Sequence, residues 1–262
     1  MNRFIILMYH MISKPESELE IKYACPPDVF ENHMSKLRHE NFNLVSLKTI
    51  DNHINSGAAI PKNAIAITLD DGFEDNYTNA YPILKKYNIP ATVFLTTGHL
   101  GASNNWMTKR GFPLRNLLNW DQIKEMSKND IIFGAHTVNH PALPELDIER
   151  AYQEIKESKK TIEQELGREC NYFAYPFGLF SDQNRMQVRD CGFSLACSTR
   201  SGFNTAARDP FLLHRIEVYG NDPWWKLKQK MTFGINDASY SFPIKYYASR
   251  LMHRFFHEDT KP

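Results

Sequence analysis

Two carboxylates stand side by side at the end of an apolar run, in Thr68-Leu69-Asp70-Asp71-Gly72-Phe73. Adjacent carboxylates are costly to bury without a partner. A bound cation removes that cost, because one carboxylate can ligate while the other stays free to take a proton. Taken alone, the segment is equally an ordinary turn. His136-Thr137-Val138-Asn139-His140 offers two imidazoles four residues apart, close enough to reach one ion from a tightly turned segment. Pro141 follows at once, so a long helix carrying both is disfavoured, and two unrelated loop histidines are the alternative in a chain with ten. A third segment, Ala174-Tyr175-Pro176-Phe177-Gly178, combines a proline that fixes the chain with a glycine that lets a substrate approach. The Phe177 N–H there could face a developing oxyanion.

What must position these residues is a series of buried strands. Phe4 to Tyr9, Ala64 to Leu69, Ala91 to Leu95, Ile131 to Ala135, Tyr172 to Tyr175 and Phe193 to Cys197 are short apolar runs. Helical patterns separate them: Phe30 to Glu40, Asn76 to Tyr87, Trp120 to Ser127, Leu146 to Leu166 and Ser181 to Arg189. In the longest, Ile148, Tyr152, Ile155, Ile162 and Leu166 form the apolar side, and Gly167 stands where a C-terminal cap belongs. Such alternation implies parallel βαβ units, and about seven of them favour an α/β barrel over an open sheet. All three motifs then lie at C-terminal strand ends, the face of a barrel where active sites form. The stretch 98–119 is a long loop without periodicity, and loops of that length in a compact domain are usually functional.

Composition narrows the function classes. The 262 residues carry 31 Lys and Arg against 30 Asp and Glu, so the basic footprint of a nucleic-acid binder is missing. The four cysteines, Cys25, Cys170, Cys191 and Cys197, form no CxxC pair and are expected as reduced, mostly buried thiols of a cytoplasmic protein. The run Phe4 to Tyr9 is too short for a signal peptide and reads as a first strand. No window approaches the ~20 apolar residues needed to span a bilayer.

The three motifs, with the chain from about residue 4 to residue 220, resemble the polysaccharide deacetylase family, carbohydrate esterases that share a NodB homology domain. The resemblance implies a distorted (β/α)7 barrel, read here as one catalytic domain over 1–240 followed by a basic amphipathic helix and tail over 241–262. It implies a metal held by Asp71, His136 and His140, with Asp70 as general base. Zn²⁺ suits one carboxylate and two imidazoles best, while Co²⁺, Ni²⁺ and Fe²⁺ accept similar ligands. Tyr175, Pro176, Phe177 and Gly178 are implied to line the substrate groove, and Trp120 is a candidate for stacking on a sugar ring. Two departures stand out. Ala174 occupies the place where the family usually carries an Arg that orients the base, and Arg215 is the candidate replacement. The general acid is either His214, in Leu212-Leu213-His214, or His10, in the Tyr9-His10 pair that resembles the branch acting on poly-N-acetylglucosamine; the resemblance favours His10.

The expected reaction is removal of N-acetyl groups from an amino sugar in a polysaccharide or a lipid-linked glycan precursor. A deformylase or cyclic-amide hydrolase on the same scaffold is one alternative, and a non-catalytic carbohydrate-binding protein is another. Ile244, Tyr247, Leu251, Met252 and Phe255 fall on one helical face, with Lys245, Arg250, Arg254 and His257 as a basic remainder. That pattern raises the expectation of a peripheral contact with the inner face of a membrane.

Overall fold

The computed structural model describes residues 2–244 and 246. Among the described residues eight strands form one parallel sheet: β1 (Phe4–Tyr9), β2 (Asn43–Leu44), β3 (Ala64–Leu69), β4 (Ala91–Leu95), β5 (Ile131–Ala135), β6 (Tyr172–Ala174), β7 (Leu195–Cys197) and β8 (Ile216–Glu217). Their order is β7-β6-β5-β4-β3-β1-β8, with β2 on the first residues of β3. Leu213 bridges to Cys197 of β7, and Ile216 and Glu217 pair with Leu7 and Met8 of β1. The stretch 213–217 therefore closes the curved sheet into a distorted barrel.

Helices cover the outside: α1 (Pro27–His39), α2 (Leu47–Ser56), α3 (Tyr81–Lys86), α4 (Trp120–Met126), α5 (Ile148–Leu166), α6 (Asp182–Asp190) and α7 (Trp224–Phe233). Local chemistry sets their ends. The Asp147 side chain caps α5 by accepting from the Arg150 N–H, and Gly167 ends it in the left-handed region at φ 63°. Asn119 and Gln122 form a reciprocal capping box on α4, and Ser181 and Asn184 form one on α6.

Strand alternation decides what points where. Phe4 and Ile6 of β1, Ala64 and Ala66 of β3, Phe94, Tyr172, Ala174, Leu195, Cys197 and Leu213 pack together inside the barrel. Their neighbours Ile5, Leu7, Tyr9, Ile65, Ile67, Leu69, Val93, Leu95 and Phe173 face the helices. Both faces of β1 and β3 are thus buried, which is why their sequences are continuous apolar runs without polar alternation. The same parity carried one step further turns Met8, His10, Thr68 and Asp70 toward the barrel mouth.

The four longest strands coincide with the expected runs, and β6 and β7 are shorter than expected. The helix expected from Asn76 begins as a wide turn over Asn76–Ala80 before α3. Pro82 has no N–H to give to an ordinary helical turn at that point. Ile148 was expected on the apolar side of α5 but is 60% exposed, because it sits immediately after the cap, in a first turn, 147–150, that is exposed throughout. The four cysteines are free, and Cys25, Cys170 and Cys197 are buried. Among the described residues no helix is long and apolar enough to cross a membrane. Most of the expected C-terminal amphipathic helix lies outside the described residues.

Candidate metal centre and its cavity

Asp71, His136 and His140, all buried, bring one ligand atom each to within 4.8 Å of one another. The Asp71 Oδ1 atom lies 3.1 Å from His140 Nε2 and 3.5 Å from His136 Nε2, and the two Nε2 atoms are 3.2 Å apart. The His136 Nδ1 lies 2.7 Å from the Ala174 carbonyl, which can only accept, so Nδ1 carries the proton and Nε2 presents a lone pair. Burial pushes the His136 imidazole down to about 4, only partly opposed by Asp70, so the ring is neutral near pH 7. Asp71 Oδ1 is buried without a hydrogen-bond partner. Two imidazole nitrogens and an orphaned carboxylate oxygen converging on one point fit a divalent cation, in a donor set that Zn²⁺ and its neighbours share.

The backbone is strained where this cluster forms. Asp71 (φ 75°), Thr137 (φ 67°), His140 (φ 57°) and Phe177 (φ 56°) are non-glycine residues in the left-handed region. β-branched and aromatic residues rarely adopt it, and such strain persists only where surrounding contacts over-determine it. Here the contacts are visible. The Glu154 carboxylate accepts from the Val138 and Asn139 N–H groups at 2.9 and 2.8 Å, and Thr137 Oγ1 accepts from the His140 N–H at 3.0 Å. His140 is also clamped by rings. The Trp106 indole stacks on it at 5.2 Å, and Phe177 meets it edge-on at 4.5 Å.

Asp70 has a different set of partners. Arg215, wholly buried, clasps it with two parallel bonds of 2.6 and 2.7 Å and donates through Nε to the Ser198 carbonyl at 3.0 Å. Burial raises the Asp70 pKa, but the charges of Arg215 and His136 more than reverse this, and the carboxyl lies below its ordinary value. For Asp71, too, burial is outweighed, there chiefly by His140, and the net direction is down. Both carboxylates are therefore ionised at neutral pH. Ala174, two residues before Pro176, brings no charge to this site, and Arg215 reaches the Asp70 carboxylate from a later part of the chain.

Above this floor opens a cavity of about 240 Å³, lined among others by His10, Tyr23, Asp70, Arg110, Phe177 and Glu217. His10 is half-buried, its ring edge-on to Tyr23 at 5.3 Å, and its carbonyl accepts from Asn76 Nδ2 at 2.9 Å. His214 does not line the cavity. It alternates with Leu213 and Arg215, which both point inward, so its ring faces outward against Gly202. Trp120 is not among the lining residues either; it packs with the core at the start of α4. Tyr175 and Phe177 line the cavity, whereas Pro176 and Gly178 shape the turn beneath it. The bonds of that turn are made by the next two amides, from Gly178 to the Tyr175 carbonyl at 2.8 Å and from Leu179 to the Pro176 carbonyl at 3.0 Å.

Several wall residues had no sequence signal of their own. Asn104, Met107, Arg110 and Phe112 come from the long loop 98–119, whose two short 3-10 turns are Thr97–His99 and Asn105–Arg110. Lys22 and Glu217, ion-paired at 3.0 Å, form another side. Glu217 was findable in principle, since it lies two residues beyond Arg215 on the same face.

Comparison with known proteins agrees with the fold. A family model described as polysaccharide deacetylase matches residues 57–196, more than half the chain. The chain belongs to the polysaccharide deacetylase family. It is 29% identical to the poly-β-1,6-N-acetyl-D-glucosamine N-deacetylase of Staphylococcus aureus over 240 residues, covering 83% of this chain and 79% of that one. The structure of the Streptococcus pyogenes deacetylase PplD in complex with acetate is 29% identical and superposes with a TM-score of 0.75, covering 87% of this chain and 98% of that one. IcaB from Ammonifex degensii superposes with a TM-score of 0.76 at 23% identity, over 89% and 97% of the two chains, and shows the shared fold. The enzyme class expected from sequence, a hydrolase of carbon–nitrogen bonds in acetylated sugars, is the class of this family.

Proposed function

We propose that the protein removes the acetyl group from N-acetylated amino sugars of a glycan, of the poly-N-acetylglucosamine type, releasing acetate. The observation that carries this reading is the separation of duties between two adjacent carboxylates. Asp71 is turned toward two imidazoles, while Asp70 is held out of that cluster by Arg215 and faces the same cavity. A cation held by Asp71, His136 and His140, Zn²⁺ by preference of the donor set, would supply Lewis-acid polarisation of the acetyl carbonyl and acidify nearby water.

The chain's own groups do the rest. Asp70, kept ionised by Arg215, takes a proton from the attacking water as its oxygen bonds to the carbonyl carbon. Arg215 keeps both carboxylate oxygens in a fixed orientation, so the base does not swing toward the metal cluster. The Phe177 N–H, held by its strained turn, supplies a donor to the oxyanion. The carbon–nitrogen bond then breaks as His10 donates its proton to the departing amine. His10 is preferred over His214 because it lines the cavity and His214 faces away.

Acetate release is the test, from N-acetylglucosamine oligomers with metal-loaded protein. The parent is expected to turn over and Asp70→Asn to lose at least about 10³-fold while keeping its metal. Full activity in the metal-loaded variant would remove Asp70 as base. Release of formate from N-formyl analogues in preference to acetate would move the protein to a deformylase.

A further inference from the structure

The charges around the cavity are matched in pairs, with one exception. Asp70 is clasped by Arg215, and Lys22 is paired with Glu217 at 3.0 Å. Arg110 lines the same cavity and makes no ion pair or side-chain hydrogen bond with any described residue. Its guanidinium lies over the Phe177 ring, 4.2 Å from the centroid, and that ring meets His140 edge-on. One aromatic ring therefore separates an uncompensated cation from a metal-ligand histidine. Cation–π contact supports a guanidinium without using any of its five N–H donors.

The turn that carries Arg110 is pinned. Asn104, 2% exposed, donates to the Pro113 carbonyl and accepts from the Arg115 N–H, closing the loop across its base. Arg115 in turn forks onto the buried Glu20 at 2.6 and 2.9 Å and reaches Glu16 at 2.7 Å. Gly111, at φ 80°, ends the turn immediately after Arg110 in a conformation that a side chain would resist. A free guanidinium on a fixed turn, facing into a cavity, is arranged to receive an anion.

We propose that Arg110 is a specificity-determining residue that binds an anionic substituent, a phosphate or a carboxylate, on the glycan beside the sugar being deacetylated. This deepens the proposed function and rests on its placement of the acetamido group over the metal cluster. The enzyme then prefers an N-acetylglucosamine glycan that carries such a substituent to the unsubstituted polymer.

The experiment measures binding apart from turnover, with metal-loaded Asp70→Asn protein. Three probes are compared: N,N′-diacetylchitobiose, the same disaccharide as its 1-phosphate, and a disaccharide of N-acetylglucosamine with glucuronate. At least one charged probe should bind roughly tenfold more tightly than the neutral one, with the advantage shrinking as salt rises. Arg110→Gln should abolish that advantage and Arg110→Lys should restore part of it. Which charged probe gains identifies phosphate or carboxylate as the group. Equal binding of all three overturns the proposal. So does an advantage that survives Arg110→Gln, which would mean that the anion goes to the metal. If the unmutated enzyme releases no acetate from any probe while the Arg110-dependent advantage persists, the deacetylation reading fails and the anion site stands.

Discussion

The floor of the cavity and its wall are built in opposite ways. On the floor, Asp70, Asp71, His136, His140 and Arg215 are each less than a tenth exposed, and every charge has an immediate partner. They sit at or just past strand ends, where alternation faces Asp70, His136 and Arg215 inward and left-handed turns carry Asp71 and His140 to the same place. On the wall, Arg110 and Lys22 are exposed and come from loops far from those strands in sequence. The wall is held by a few long-range bonds, such as those of Arg115 to Glu16 and Glu20. The difference divides the work: a rigid, desolvated floor suits chemistry common to a family, and a wall of loops can change its ligand without disturbing that floor.

The sharpest way to break this contrast is to remove the charge that the floor depends on. Arg215→Met leaves Asp70 buried and unpaired, and breaking a buried pair from one side costs about 3–5 kcal/mol. Urea unfolding should register that loss, together with near-complete loss of acetate release. The double variant Arg215→Met, Asp70→Asn should regain much of the stability and none of the activity, because the unpaired charge is gone but so is the proposed base. If the single variant unfolds within about 1 kcal/mol of the parent, the floor is not the electrostatically tight unit described.

How much of this could be read from the sequence follows the same division. The strands from Phe4, Ala64, Ala91 and Ile131 were legible because parallel strands buried on both faces are continuous apolar runs. Their ends then placed Asp70, Asp71, His136 and His140. β8 and α7 were missed. β8 is two residues long, and Glu217 within it and Arg215 just before it hide the apolar signal. α2 was missed although Ser46 caps it and Gly57 ends it, because only Leu47 and Ile50 are buried and the apolar stripe is narrow. The wall was legible only as the unpatterned loop 98–119; which of its residues meet over the barrel mouth depends on tertiary contacts such as Arg115 with Glu20.

The two candidate acids test the boundary between floor and surroundings. Parity of the stretch 213–217 sends Arg215 inward and His214 outward, whereas His10 continues the inward face of β1. His214 is held below the ordinary histidine range by burial, with the nearby charges of Arg208 and Arg200 acting in the same direction, which keeps it neutral rather than poised to donate. His10→Ala should therefore lower kcat by about 10²–10³, the usual size of a lost general acid. His214→Ala should stay within about threefold. An inactive His214→Ala with an active His10→Ala would reverse the assignment and place the acid outside the cavity described.

The smallest effect expected lies at the junction of floor and wall, at Asp75. Its Oδ1 accepts from the Ile12 N–H at 3.0 Å and from Asn76 Nδ2 at 3.0 Å, tying the segment after His10 to the turn after β3. Burial pushes the Asp75 carboxyl up to about 6, and the hydrogen bonds from Ile12 and Asn76 offset this only in part. The folded protein thus holds this proton more tightly than the unfolded chain, whose Asp titrates near 3.8. A raised folded pKa gives stability that is complete below the unfolded value and is lost as pH rises through the folded one. Asparagine keeps the accepting oxygen and carries no charge, so Asp75→Asn escapes that loss. Between pH 5 and pH 8 the variant should gain roughly 1 kcal/mol on the parent in urea unfolding. The measurement belongs in chelator, because metal binding brings its own pH dependence. Parallel pH profiles for the two proteins would show that Asp75 stays ionised in the fold, and that this junction is as well solvated as the wall above it.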